Sequence, residues 1–112
     1  PEAAAVGLTE EEAKAKGISY RTSLFSLKAN SRAKCLGEEE GFVKLIAEEK
    51  THKLLGMHIL ASHASEMIPV GSLALAQRLS VDDLSNLCFA HPTLSEAIKE
   101  ASLASFKQPI HA

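Results

Sequence analysis

At 112 residues, with 46% apolar and 23% charged side chains, the chain is sized for one domain with its own core, and its composition excludes a disordered or fibrous segment. Its 12 basic and 14 acidic residues give a formal net charge of −2, so it lacks the basic footprint that nucleic acid or an anionic membrane surface selects. The longest apolar stretch, Met57 to Leu79, is broken by His58, His63, Glu66 and Gln77, which excludes a bilayer-spanning helix of ~20 apolar residues there.

In chain order, Ala3 to Leu8 is a short apolar run with the look of a strand. Thr9-Glu10-Glu11-Glu12 has capping-box spacing and predicts a short helix through Lys16, stopped by Gly17. Ile18, Tyr20, Thr22 and Leu24 alternate with Ser19, Arg21 and Ser23, the two-residue period of a half-buried strand whose even positions face the core. Lys28 to Gly37 has no clear period and reads as a loop with one helical turn at most. Phe42–Glu48 and Leu54–Leu60 flank the polar segment Glu49–Lys53 and predict an antiparallel hairpin. Val43, Leu45 and Ala47 share one face of the first arm; Leu55, Met57 and Ile59 share one face of the second. Both sides of this hairpin are apolar, so both require cover, by helices or by another subunit.

Beyond the hairpin the period becomes helical. Ser65 is the expected N-cap of a helix with Pro69 in its first turn, and Met67 to Leu79 is apolar around most of its circumference, which points to a subunit interface. Ser80 caps a further short helix. The last helix carries Leu94, Ala97, Ile98, Ala101 and Ala104 on one stripe, with Phe106 ending the pattern and Pro109 preventing continuation. The order predicts an α+β domain with an antiparallel sheet packed against helices, spanning 1–112 as a single unit.

The chemistry concentrates in His91-Pro92-Thr93-Leu94-Ser95-Glu96. Pro92 disfavours helical geometry at His91, so the imidazole stands just before the helix. Helical side chains lean toward the N-terminus, which brings Glu96 back toward His91 and makes an imidazole–carboxylate pair, the equipment of proton transfer. Thr93-x-x-Glu96 is also a capping box that needs no catalysis, and spacing alone leaves both readings open. His58, His63 and Glu66 have no accompanying thiolate pair or H-x-x-x-H, so no metal site is expected. G-x-G-x-x-G, P-loop and G-x-S-x-G patterns are absent. Cys35 and Cys88 stand far apart and read as reduced thiols, and the acidic runs Glu10–Glu12 and Glu38–Glu40 as solvated faces. No basic segment followed by an apolar run opens the sequence, so a signal peptide is not expected. The start at Pro1 without Met suggests a fragment or processed product.

The run His91-Pro92-Thr93-Leu94-Ser95-Glu96-Ala97 resembles a signature of dihydrolipoamide dehydrogenases. Pro1–Glu10, Ala29-Asn30-Ser31-Arg32-Ala33, Gly41–Ile46, Leu55–Leu60, Ser65-Glu66-Met67 and the tail Ile110-His111 extend the likeness over nearly the whole chain, to the C-terminal dimerisation domain of the pyridine nucleotide–disulfide oxidoreductases. Mercuric-ion reductases generally lack the His-Pro-Thr box, and glutathione reductases carry a variant of it. The chain departs from the lipoamide branch at Phe89, where His-Ala-His-Pro is common and Phe89-Ala90-His91-Pro92 stands here.

The resemblance implies a full-length flavoenzyme whose FAD-binding and NAD-binding domains lie outside this chain. It implies a homodimer in which His91, oriented by Glu96, enters the other subunit's site and deprotonates dihydrolipoamide for attack on a redox-active disulfide. His91 and Pro92 would lie near the partner's flavin, Cys35 and Cys88 would be idle, and the fragment alone would be inactive and bind neither FAD nor NAD. The acyltransferase core of a 2-oxoacid dehydrogenase complex is the implied further partner, in the cytoplasm or, in a eukaryote, the mitochondrial matrix. A stand-alone dimerisation module without catalysis, and the same domain of another flavin disulfide reductase, are the alternatives.

Overall fold

The computed structural model describes residues 1–106. Its elements are β1 (Glu2–Gly7), α1 (Glu10–Ala15), β2 (Tyr20–Ser26), a 3₁₀ turn (Leu27–Ala29), α2 (Ser31–Leu36), β3 (Phe42–Glu48), β4 (Leu54–Ala61), α3 (Ala64–Met67), α4 (Pro69–Ala76), α5 (Val81–Ser85) and α6 (Glu96–Ala104). The strands form one antiparallel sheet in the order β1-β4-β3-β2, as expected of an α+β domain. Pro109 and the tail Ile110-His111 lie outside the described residues.

The inner face of the sheet carries Val43, Leu45, Met57, Ile59 and Ala61, all buried, and receives α4 and α6. Gly71 lets α4 approach closely: a Cβ there would sit 2.8 Å from Met57 Sδ and 3.0 Å from Val6 Cγ1. The outer face is covered less completely. α1 is held over it by the carboxylate of Glu10, which accepts from Lys44 Nζ and from the Tyr20 hydroxyl. Ala13 and Ile46 are fully buried, while Leu24 is 58% exposed. A groove of about 280 Å³ remains on the open part of this face, lined by Ala3, Ala5, Phe42, His58 and Leu60 among others.

Local chemistry explains the ends of α1. Thr9 Oγ1 accepts from the Glu12 N–H at 3.1 Å and the Glu12 carboxylate accepts from the Thr9 N–H at 2.9 Å, the full reciprocal cap expected there. Gly17 follows at φ +70°, the left-handed turn that ends the helix. Ser80 and Asp83 form the same reciprocal cap on α5.

The structure corrects several expectations. In β2 the inward positions are the odd ones: Ser23 is buried and Leu24 points outward. Hydrogen bonding outweighs hydrophobic period here, because Ser23 Oγ donates to the Ala101 carbonyl at 2.9 Å and lies 2.8 Å from Ser105 Oγ, and the small serine admits α6 to the strand. The same contact moves the α6 stripe: Ser102 and Ser105 are buried and Ala104 is exposed. In the hairpin, Ala47 pairs with Leu54 while Ile46 pairs with Gly56, so Leu55 is an inserted residue and Leu54 takes its place in the core. The segment after β2 holds a real helix, α2, capped by Asn30 Oδ1 accepting from Ala33 N–H and closed by Gly37 at φ +70°. The expected helix from Ser65 is two helices. His63 occupies the N-cap of α3, and α4 restarts at Pro69, which has no N–H to continue the first. Ser65 instead donates its N–H and hydroxyl to the Glu2 carboxylate.

Candidate active-site dyad

The segment between α5 and α6 is anchored by Phe89, which packs against the core, and carries His91-Pro92, joined by a cis peptide bond. His91 is 67% exposed at the side chain and Glu96, the first residue of α6, 26%. The His91 Nδ1 atom lies 2.9 Å from Glu96 Oε1 and 3.0 Å from Oε2. An ionised carboxylate only accepts, so the Nδ1 position carries the proton and the neutral ring keeps its lone pair on Nε2.

Glu96 is fixed from its other side as well. The Thr93 N–H donates to Glu96 Oε1 at 2.9 Å. This backbone donor is the main reason the Glu96 carboxyl is held below the ordinary carboxylate range, with burial opposing it and the His91 hydrogen bond adding to it. The expected capping box is therefore half formed. Thr93 Oγ1 does not accept from the helix; it donates to the Ala90 carbonyl at 2.7 Å, closing the loop on itself. Ser95, already in helical geometry, stands at the N-cap without a side-chain bond, and the first turn tightens through Ala97 N–H to the Leu94 carbonyl.

Sequence reasoning missed Asn30. Its amide donates to the Thr93 carbonyl at 3.1 Å across 63 positions of sequence. Its signals were its place before the six-residue run Ser31–Leu36 that Gly37 closes, an N-cap pattern, and its position in the Ala29–Ala33 segment that carries the resemblance. Asn30, Phe25, Ser31, His91, Glu96 and Glu100 line a groove of about 320 Å³ beside the dyad.

The remaining candidates do not join this site. His58 Nε2 bonds the Leu8 carbonyl at 3.0 Å, and His63 begins α3 two residues past β4. Among the described residues no three His, Cys, Asp or Glu side chains are grouped to hold a metal. Cys35 and Cys88 are free and exposed. A second histidine–carboxylate pair exists, His52 Nδ1 to Asp82 Oδ2 at 2.7 Å. It ties the hairpin turn to α5, and the His52 ring stacks on Phe106 with centroids 3.5 Å apart, which marks it as a packing contact.

The family model described as "Pyridine nucleotide-disulphide oxidoreductase, dimerisation domain" matches residues 1–102. A mitochondrial dihydrolipoyl dehydrogenase of Pisum sativum is 50% identical over 99% of this chain and 22% of its own length. A leghemoglobin reductase of Glycine max is 49% identical over 97% of this chain and 21% of its own. Among solved structures, LpdA from Mycobacterium tuberculosis superposes with a TM-score of 0.86 at 34% identity, over 92% of this chain and 22% of that one. The HOCl-induced flavoprotein disulfide reductase RclA from Escherichia coli gives 0.87 at 27% identity, over 91% and 23%. The chain thus spans about a fifth of the length of the relatives it matches.

Proposed function

The chain belongs to the dimerisation-domain family of the pyridine nucleotide–disulphide oxidoreductases, and from that premise we propose that it is the subunit-pairing domain of a dihydrolipoamide dehydrogenase, with His91 as its acid/base group and Glu96 orienting the ring. The observation that carries this reading is the double contact of His91 Nδ1 with both oxygens of a carboxylate that a backbone N–H holds ionised.

The chemistry follows from the tautomer. With its Nδ1 proton committed to Glu96, His91 offers Nε2 as a base on an exposed ring. Nε2 takes the proton of a dihydrolipoamide thiol, and the resulting thiolate is the form that attacks a disulfide sulfur. Glu96 stabilises the imidazolium formed in that step, and the imidazolium can return the proton when a thiol leaves. Cys35 and Cys88 take no part.

The reading places residues 1–112 as one domain of a longer chain whose other domains bind FAD and NAD. This chain fits a flavin only from outside. His91 and Pro92 are exposed beside the groove, and its sequence has no G-x-G-x-x-G cradle for a dinucleotide. FAD bound by a partner subunit would supply the electron acceptor between dithiol and NAD, while His91 and Pro92 of this chain supply its edge contact and the proton chemistry. Pairing as a homodimer is supported by α4, whose Leu73 stands 61% exposed on an almost wholly apolar helix. The same reading gives the acyltransferase core of a 2-oxoacid dehydrogenase complex as the larger assembly. It also gives the mitochondrial matrix as the compartment in a eukaryote, in keeping with the word mitochondrial in the name of the Pisum sativum relative, and the cytoplasm otherwise.

The test is the full-length enzyme carrying His91→Gln. Dihydrolipoamide-to-NAD turnover should fall by roughly 10²–10⁴-fold while NADH still reduces the flavin at close to the normal rate. Equal, mild losses in both half-reactions would remove His91 from the role of base. The coding sequence upstream of Pro1 should contain a G-x-G-x-x-G segment and a closely spaced cysteine pair.

A further inference from the structure

We infer that Asn30 is a positioning residue for the dyad: its buried amide holds the Thr93 main chain in place, Thr93 holds Glu96, and Glu96 orients His91. The inference rests on the acid/base reading above for its functional meaning, and on geometry for the linkage itself.

Asn30 is 4% exposed and its side chain has two obligations. Oδ1 accepts the Ala33 N–H at 2.9 Å and caps α2. Nδ2 donates to the Thr93 carbonyl at 3.1 Å. The amide orientation is set by chemistry, since an N–H can only donate to the first atom and a carbonyl can only accept from the second. Thr93 in turn has all three of its polar groups engaged. Its N–H goes to Glu96, its hydroxyl to the Ala90 carbonyl and its carbonyl to Asn30. The Asn30 bond is the one of the three that ties this residue to a distant part of the chain. The other two are local and would travel with the loop if it shifted. Without Asn30, the peptide flanking Thr93 loses its fixed reference, and the aim of its N–H at Glu96 loosens. A misplacement of about 1 Å at a catalytic constellation costs on the order of 10²-fold in rate.

Asn30→Ser separates the two obligations. Serine is as good an N-cap as asparagine, so the α2 cap is retained, but its hydroxyl is too short to keep the Thr93 bond as well. In the 112-residue chain labelled with ¹³C at glutamate carboxyls, the Glu96 titration midpoint should move up in Asn30→Ser, since its main depressing donor is disturbed. The other glutamates should titrate as before. In the full-length enzyme the same variant should lower kcat for dihydrolipoamide oxidation by roughly 10–100-fold with KM nearly unchanged. An intact fold with an unmoved Glu96 midpoint would overturn the inference. If Asn30→Ser does not fold, Asn30→Thr, another capping residue, is read against the same two outcomes. A shifted Glu96 midpoint in Asn30→Ser, together with turnover indifferent to His91→Gln, would uphold the linkage and sink the acid/base reading instead.

Discussion

Ser23 on β2 and Ser105 just beyond α6 meet at 2.8 Å between their hydroxyl oxygens in the buried seam between sheet and helix. The seam matters because α6 starts at Glu96. Whatever seats this helix on the sheet also seats one member of the dyad.

Ser23→Ala should therefore destabilise the domain by about 1–2 kcal/mol, the cost of leaving buried hydrogen-bonding groups without one of their partners. The Ala101 carbonyl loses its donor at 2.9 Å, though Ser105 Oγ still reaches it at 3.3 Å. Urea denaturation followed by circular dichroism measures the change. A variant as stable as the parent would show that the helix is seated by its apolar residues alone.

Glu96→Gln isolates the charge of the dyad. Glutamine can still accept from the Thr93 N–H and the His91 Nδ1–H through its amide oxygen, so the loop should keep its shape. The negative charge that, on the proposed mechanism, would stabilise an imidazolium is gone. In the full-length enzyme, dihydrolipoamide oxidation should fall by roughly 10²-fold, within the range of acid/base contributions. Stopped-flow measurement of both half-reactions would show the loss confined to the thiol side. An unchanged rate would leave Glu96 as a helix-start residue only.

Acid should loosen the fold. The carboxyls of Glu2, Glu10, Glu48 and Glu96 are all held below the ordinary range, chiefly by hydrogen bonds from Ser65, Lys44, Thr51 and Thr93 respectively. A depressed folded-state pKa binds protons less readily than the unfolded chain does. Its stabilisation is complete above the unfolded value of about 4.3 and is lost as pH falls through the folded value. Thermal melting should show a plateau near neutrality and a falling Tm from about pH 4.5 downward. A Tm independent of pH between 5 and 3 would contradict the assignment of these bonds.

Leu73→Asp tests the pairing surface. Leu73 is 61% exposed on α4, and its substitution leaves the buried Gly71 and Ala74 side of the helix untouched. Sedimentation of the 112-residue chain should show a dimer for the parent and a monomer with unchanged circular dichroism for the variant. A variant that pairs as tightly as the parent would place the interface elsewhere.

Much of this was legible because it is local. Thr9-x-x-Glu12 with Gly17, the Phe42–Glu48 and Leu54–Ala61 hairpin, and the Ser80 cap depend on residues a few positions apart, so their spacing carries the physics. The pairing of His91 with Glu96 was legible for the same reason, since a proline-delimited loop and a helix start bring residues five apart together. Other features depend on which partner arrives from far away. The inward face of β2 is opposite to its hydrophobic alternation because Ser23 answers to Ala101 and Ser105, not to the period of Tyr20, Thr22 and Leu24. The bulge at Leu55 depends on how β4 pairs with β3.

By itself, then, the sequence determined most of the element types, though not α2 or the break between α3 and α4, together with the antiparallel sheet and the His91–Glu96 pair, because hydrophobic period, caps and turn residues act within a few positions. Only the tertiary structure decided which strand face is inside, how Thr93 shares its polar groups, and that Asn30 reaches Thr93, next to the dyad, from 63 positions away. Those outcomes follow from matching buried donors to acceptors across the fold, which no local pattern records.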